Sequence, residues 1–297
     1  MTDEPELFCA RAAAEAGESL LGTAAADTDV WIALELRSAW AAKPERSEGL
    51  PAGFRDRLQA WLQALARARL QLIRRPERVE GPVRLYLGRS GDSGPWLLAL
   101  DLPDLDAVLD LDVPAIVAAG AHPLATPVEE PVHLVCTHGK RDRCCAVWGQ
   151  PVFRALTDVA PEHVWHTSHT GGHRFAANVI SLPHGISYGR LTPQEAPALG
   201  EAHRRRRLHD LDRVRGRTCY DGPTQAAEVF LRRDAGELGL EAVRHRGTEM
   251  TGEDRWLARF DLHGALHEVP VARERLPGSR PKSCGDPATP LERYVRP

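Results

Sequence analysis

Two short motifs carry the residues best suited to chemistry. The first is Cys136-Thr-His-Gly-Lys-Arg-Asp-Arg-Cys144-Cys145, and the second is His169-Thr-Gly171-Gly172-His173. Thiolate and neutral imidazole are both metal-ligating forms, so two sulfurs and two ring nitrogens in one region make a Cys2His2 ligand set. Such a set serves either zinc or a Rieske-like [2Fe-2S] cluster. Eight residues separate Cys136 from Cys145, longer than the knuckle of about two to four residues usual between zinc cysteines. The glycine pair between His169 and His173 lets the backbone approach a site closely. Cys144 is an alternative to Cys145 as the second sulfur ligand. Lys140, Arg141, Arg143 and Arg174, with Gly171 and Gly172, are candidates for tuning a negatively charged centre through charge and hydrogen bonds.

The elements that must position these residues read as two successive lobes. Val30 to Leu36 reads as a strand, Phe54, Leu58, Trp61, Leu62 and Leu65 recur at helical spacing, and Leu70 to Ile73, Val83 to Leu87 and Trp96 to Leu100 read as further strands. After a proline-rich connector at 122–131, Val132 to Val135 leads as a strand into Cys136. A helix is expected from Gly149-Gln-Pro151, with proline near its first turn, then a strand at Val164 to Thr167, a helix from Arg174 to Ile180 and a strand at Ile186 to Leu191. The endings Tyr86-Leu-Gly88-Arg89 and Tyr188-Gly189-Arg190 echo one another and hint at duplication. A polar helix at 193–212, a second helix from Pro223 to Leu238 and a small antiparallel sheet within 242–275 complete the expectation. The tryptophans are read as core residues.

With 297 residues, 42% of them hydrophobic, and seven Trp, the chain has material for about two folded domains. Lys plus Arg number 38 against 41 Asp plus Glu, so no global charge excess points to nucleic acid or an anionic membrane. The Arg204 to Arg207 run points around a helix rather than along one face, as a solvated helix paired with Glu195, Glu201, Asp210 and Asp212 does. No apolar run reaches about 18 residues and no leader pattern opens the chain, which sets a cytoplasmic expectation. Six cysteines are too few for a disulfide scaffold at this length. Cys9, Cys219 and Cys284 are assigned no ligand role.

The motifs Cys-Thr-His-Gly-Lys-Arg-Asp-Arg-Cys-Cys, His-Thr-Gly-Gly-His-Arg-Phe-Ala-Ala-Asn and Ser283-Cys284-Gly285 together resemble the sucrase/ferredoxin-like family. The resemblance runs from Phe8-Cys9-Ala10 to Ser283-Cys284-Gly285 and is most specific between 132 and 191. It implies an α/β protein of two thioredoxin-like lobes with a small C-terminal α+β extension. The segments are 1–125 for a lobe without a cluster, 131–212 for the ferredoxin lobe and 213–297 for the extension. By the same resemblance, Cys136, Cys145, His169 and His173 hold a [2Fe-2S] cluster, and the protein carries electrons, with possible proton coupling, between a donor and an acceptor that the sequence does not identify. An electron carrier is favoured over a catalyst with its own substrate. The word sucrase in the family description implies a hydrolase, yet no carboxylate pair stands out for glycosidic chemistry. Two alternatives stay open: a zinc-stabilised binding protein without turnover and a thiol-disulfide oxidoreductase. No partner class among nucleic acids or membranes is expected.

Overall fold

The computed structural model describes residues 8–25 and 27–297. In chain order it contains α1 (Cys9–Glu15), β1 (Val30–Glu35), α2 (Phe54–Ala64), β2 (Ala68–Arg74), β3 (Val83–Arg89), β4 (Trp96–Leu102), α3 (Val113–Ala119) and β5 (Ala125–Pro127). Next come β6 (Val132–Cys136), α4 (Arg143–Thr157), β7 (Val164–Thr167), β8 (Val179–Leu182), β9 (Ile186–Tyr188), α5 (Ala196–Arg204), β10 (Val214–Arg217) and α6 (Gly222–Ala235). Four strands close the chain: β11 (Val243–Gly252), β12 (Arg255–Leu262), β13 (Ala265–Pro281) and β14 (Ala288–Val295). The protein is thus a mixed α/β chain.

The first ten strands form one sheet in the order β10-β9-β8-β6-β7-β2-β1-β3-β4-β5, and the last four form a second. The two halves of the large sheet repeat one pattern. β1 runs parallel to β2 and antiparallel to β3, which pairs with β4. β6 runs parallel to β7 and antiparallel to β8, which pairs with β9. The repeat is one of strand order and direction, whereas the echoing endings Tyr86-Leu-Gly88-Arg89 and Tyr188-Gly189-Arg190 fall on β3 and at the end of β9, the third and fourth strands of their halves, and so do not occupy equivalent positions. β2 and β7 join the halves edge to edge through Ile73↔Thr167 and Arg74↔His166. The expected break at 212 does not fall at the edge of the large sheet, because β10, beyond it, pairs with β9.

Both faces of this sheet are covered, which is why β1 and β6 are buried at every residue and read as continuous apolar runs rather than alternating ones. Phe54, Leu58 and Trp61 of α2 pack with Leu34, Leu72 and Leu85 in one core. Val152, Phe153 and Leu156 of α4 pack with Val135, Val164 and Tyr188 in another. A third cluster, including Trp31, Ile73, Leu134 and Trp165, crosses the junction between the halves. Trp31, Trp40, Trp61 and Trp165 are core residues as expected, whereas Trp96, Trp148 and Trp256 are half-buried.

Several expected elements are corrected. The helix foreseen at Pro151 starts at Arg143, and Pro151 lies inside it. Asp142 is its N-cap and accepts a hydrogen bond from the Cys144 amide at 2.9 Å, a stronger start signal than the proline. Residues 174–180 do not form an α-helix. A short 3-10 turn, His173–Phe175, gives way to β8, whose β-branched Val179 and Ile180 pair with Val135 and Leu134 of β6. The polar helix at 193–212 is confined to α5, and the small sheet extends to Val295 rather than 275. Arg204 and Arg205 pair with Glu201 at 2.8 and 2.7 Å, and Arg213 with Glu195 at 2.8 Å. Arg206 pairs with Glu241.

α6 sits between the two sheets and carries a buried charge cluster. The Glu228 carboxylate accepts from Arg217 at 3.0 Å and from Arg232 at 2.9 Å, and both guanidiniums have side chains with 0% exposure. Arg217 also donates to the carbonyls of Gly91 at 3.1 Å, His184 at 3.3 Å and Leu240 at 3.0 Å. One strand of the large sheet, α6 and the approach to the small sheet are thereby pinned together.

Candidate metal centre

Cys136 ends β6, and the loop 137–142 turns the chain into α4, whose first turn holds Cys144 and Cys145. Adjacent helical residues differ in direction by about 100°, so the two thiols face different surroundings. Cys145 Sγ joins Cys136 Sγ and a ring nitrogen of His169 in a group whose ligand atoms all lie within 4.8 Å of one another. Cys144 Sγ instead lies 3.4 Å from Cys9 Sγ and 3.4 Å from Cys284 Sγ. The geometry thus places Cys145, and not the alternative Cys144, beside Cys136. His173 falls outside that close group, with its ring centroid 4.9 Å from that of His169.

Close backbone packing sets these positions. A Cβ on Gly149 would lie 2.2 Å from the Cys136 carbonyl oxygen, so only glycine lets α4 press against the end of β6. Gly172 adopts φ +69°, and a Cβ there would meet the Arg215 guanidinium at 2.4 Å. Arg215 donates to the Gly171 carbonyl at 3.0 Å and to Asn178 Oδ1 at 2.8 Å, while Asn178 Nδ2 donates to the Gly172 carbonyl at 3.0 Å. On the other side, Arg69 donates to the His169 carbonyl at 2.9 Å, and the His169 amide donates to His138 Nδ1 at 3.2 Å. The histidine loop is held from both ends.

Charge around the site is equally organised. Cys136 and Cys145 are 1% and 0% exposed. Hydrogen bonding from Cys145 holds the Cys136 thiol well below its ordinary range, with His169 adding to the effect against the cost of burial, while Cys145 is pushed up by the same contact. Burial lowers Arg69, opposed by the charge of Cys136. Burial, with Arg174 and Arg69 nearby, brings Arg215 down to about 9, and the two cysteines oppose that shift. Buried Arg215 and half-buried Arg69 are the two cations whose charge couples to this cysteine pair. Burial also lowers His173, against the pull of Asp142, whose Oδ2 lies 3.7 Å from His173 Nε2.

The other residues singled out from sequence take different places. Lys140 and Arg141 are exposed. Arg143 lies over the Phe8 ring at 4.4 Å, and Arg174 pairs with Glu18 at 2.9 Å and lies over Phe175 at 4.2 Å. Cys219 is half-buried, and burial pushes its thiol up to about 12. Two further histidines singled out from sequence are packed structurally: His133 bonds Ser181 at 2.9 Å, and His166 stacks on Phe153 at 3.5 Å. Residues that the motifs did not reveal are Arg69, Arg215, Asn178 and Asp142. Asp142 had a legible signal as a helix cap two residues before Cys144. An arginine embedded in an apolar strand, as in Arg69 or Arg215, was a weaker one.

A thiol pair, two histidines and a compensating cationic shell, built on one half of an internally repeated α/β sheet, define a candidate metal-binding site. The chain matches the family model described as sucrase/ferredoxin-like over residues 21–216 and belongs to that family. Among curated proteins it is similar to altered inheritance of mitochondria protein 32 of Meyerozyma guilliermondii, with 30% identity over 93 residues, 28% of this chain and 33% of that protein. The chain thus spans about a third of that relative's length. No solved structure gives a significant match. Among the described residues, no helix is long and apolar enough to cross a membrane.

Proposed function

We propose that this protein is a one-electron carrier in which Cys136, Cys145, His169 and His173 hold a [2Fe-2S] cluster on a thioredoxin-like half. The observation that carries the reading is a convergence of donors: Cys136, Cys145 and His169 meet within 4.8 Å, and Nδ1 of both His169 and His173 is buried without a hydrogen-bond partner. Such orphaned nitrogens cost free energy unless something binds them. The wider placing of His173 suits a binuclear centre better than one tetrahedral ion, whose four donors crowd equally. Each half has the strand order β4-β3-β1-β2 or its equivalent, with the third strand antiparallel, which supports the thioredoxin-like description.

When bound, the cluster accepts and returns a single electron, and mixed Cys/His ligation raises its potential above that of an all-cysteine centre. The protein's own groups supply the rest. Arg69 and Arg215 offset the thiolate charge in a dry site, which stabilises the more negative, reduced state. Asp142, with Oδ2 3.7 Å from His173 Nε2, places a negative charge beside that ring, whose Nδ1 is the nitrogen without a partner. His169 is the partly exposed member of the four and borders a cleft of about 460 Å³ that also includes Lys43, Leu62, Arg69 and Arg141. That cleft gives a redox partner an approach to His169.

A zinc-filled Cys2His2 site is the competing reading, favoured by the closeness of Cys136, Cys145 and His169. A thiol-disulfide oxidoreductase fits less well, since the buried Cys136 and Cys145 offer no approach to a disulfide substrate. Anaerobically purified protein should be coloured, contain iron with acid-labile sulfide and give an EPR signal on reduction; a colourless protein with one zinc at this site overturns the assignment. His169→Cys and His173→Cys should each keep a cluster, lower its potential by ~100 mV or more and flatten its pH dependence. Potentiometric titration across pH measures this, and unchanged curves in both variants would remove the histidines from the ligand set.

A further inference from the structure

Three cysteines outside that site meet at a single point. Cys9 opens α1, Cys144 lies in the first turn of α4, and Cys284 lies in the turn between β13 and β14. Cys144 Sγ is 3.4 Å from Cys9 Sγ and 3.4 Å from Cys284 Sγ. The Asp142 carboxylate is 3.3 Å from Cys284 Sγ and 3.7 Å from Cys9 Sγ. All four donors lie within 4.8 Å of one another. In a tetrahedral zinc thiolate with bonds of about 2.3 Å, adjacent sulfurs are about 3.8 Å apart, close to the spacing seen here.

We propose that Cys9, Cys144, Cys284 and Asp142 form a second metal site, a mononuclear S3O site for zinc. Thiolate donors select zinc among the abundant divalent ions, and four protein donors leave no position open for a substrate, the mark of a structural site. A disulfide accounts for less of the geometry. Cys144 is equidistant from two partners, so pairing with either leaves the third thiol and the carboxylate unexplained. Asp142 is already oriented by the Cys144 amide at 2.9 Å, the Cys284 amide at 3.0 Å and the Ser283 hydroxyl at 2.9 Å. This is the hydrogen-bonded support expected of a ligating carboxylate. Cys9 lies 133 positions from Asp142 and Cys144 lies 140 from Cys284, so the ion would clasp the N-terminal helix and the C-terminal hairpin against the helix that carries Cys145. The inference does not depend on the cluster reading.

The test is metal analysis of the full chain purified anaerobically with zinc in the medium. Wild-type protein should hold one zinc per chain in addition to whatever the Cys136 site contains, and X-ray absorption at the zinc edge should show three sulfurs and one oxygen. Cys136→Ser/Cys145→Ser should retain that zinc. Cys9→Ser/Cys284→Ser should lose at least tenfold of it while iron, sulfide and visible spectrum stay as in wild type. Because the latter variant removes two buried groups, the zinc-edge spectrum of unmodified protein stands as an independent reading. Equal zinc in wild type and Cys9→Ser/Cys284→Ser, a zinc shell lacking three sulfurs, or a Cys144 disulfide to Cys9 or Cys284 in anaerobic peptide maps would each overturn the proposal. Absence of iron from the Cys136 site would defeat the electron-carrier reading alone.

Discussion

Cys136→Ser is expected to yield a folded protein with no iron, no acid-labile sulfide and no visible absorption, while Cys144→Ser retains all three. The contrast arises from the helix geometry. Cys136 and Cys145 face His169, whereas Cys144, one residue away, faces Cys9 and Cys284. A serine hydroxyl is a hard donor that ionises far less readily than a thiol, so it does not replace thiolate at an iron–sulfur centre. Iron and sulfide assays on both variants, with circular dichroism to confirm folding, check the prediction. Loss of iron from Cys144→Ser with retention in Cys136→Ser would reverse the assignment of the two thiols.

The second large effect concerns stability. Glu228→Gln should destabilise the protein by about 3–5 kcal/mol, because it leaves the guanidiniums of Arg217 and Arg232 buried without their counter-charge. Arg233→Gln, which breaks an exposed pair with Asp212, is the control, with a loss of about 1 kcal/mol or less. Denaturant midpoints of the two variants against wild type measure the difference, and equal shifts would show that the buried cluster has no special weight. The same cluster sets an acid limit. Burial opposes ionisation of Glu228, but Arg217 and Arg232 overcome it and bring the carboxyl from 4.5 down to about 2. A depressed carboxyl contributes stability above its unfolded value and loses it as pH falls through the folded one. About 3 kcal/mol should therefore be present above pH ~4.5 and disappear towards pH ~2. The Gln variant should lack that part of the acid transition.

How far the sequence could be read depends on the range of the interaction. Val30–Glu35, Val132–Cys136 and Val164–Thr167 are legible because a strand buried on both faces leaves a continuous apolar run. The start of α4 was obscured by Pro151, a residue common in first turns that here sits in the third, while the true signal was a single capping aspartate. Val179 and Ile180 form a strand because β6 lies beside them, a fact of tertiary pairing that a local helix pattern does not contain. The Cys136 and His169 motifs are compact enough to point to one site. The meeting of Cys9, Cys144 and Cys284 is not, since each is isolated in its own segment and only the fold brings them together. Arg69 and Arg215 escape for the same reason: within a strand, a cation's direction is invisible until its neighbours are in place.

The two-residue seam between β2 and β7 has a bearing on how the chain could have arisen and how it can be divided. Beyond Ile73↔Thr167 and Arg74↔His166, Ser168 exchanges bonds with Leu72, its amide donating at 2.8 Å and its hydroxyl accepting at 3.0 Å. The half without the cysteine pair thus covers an edge that would otherwise offer unpaired amides and carbonyls one residue from His169. An unprotected edge is a template for self-association. That half therefore works as a permanent guard strand, and the cysteine-bearing half cut away from it would need another molecule, or itself, to take that place.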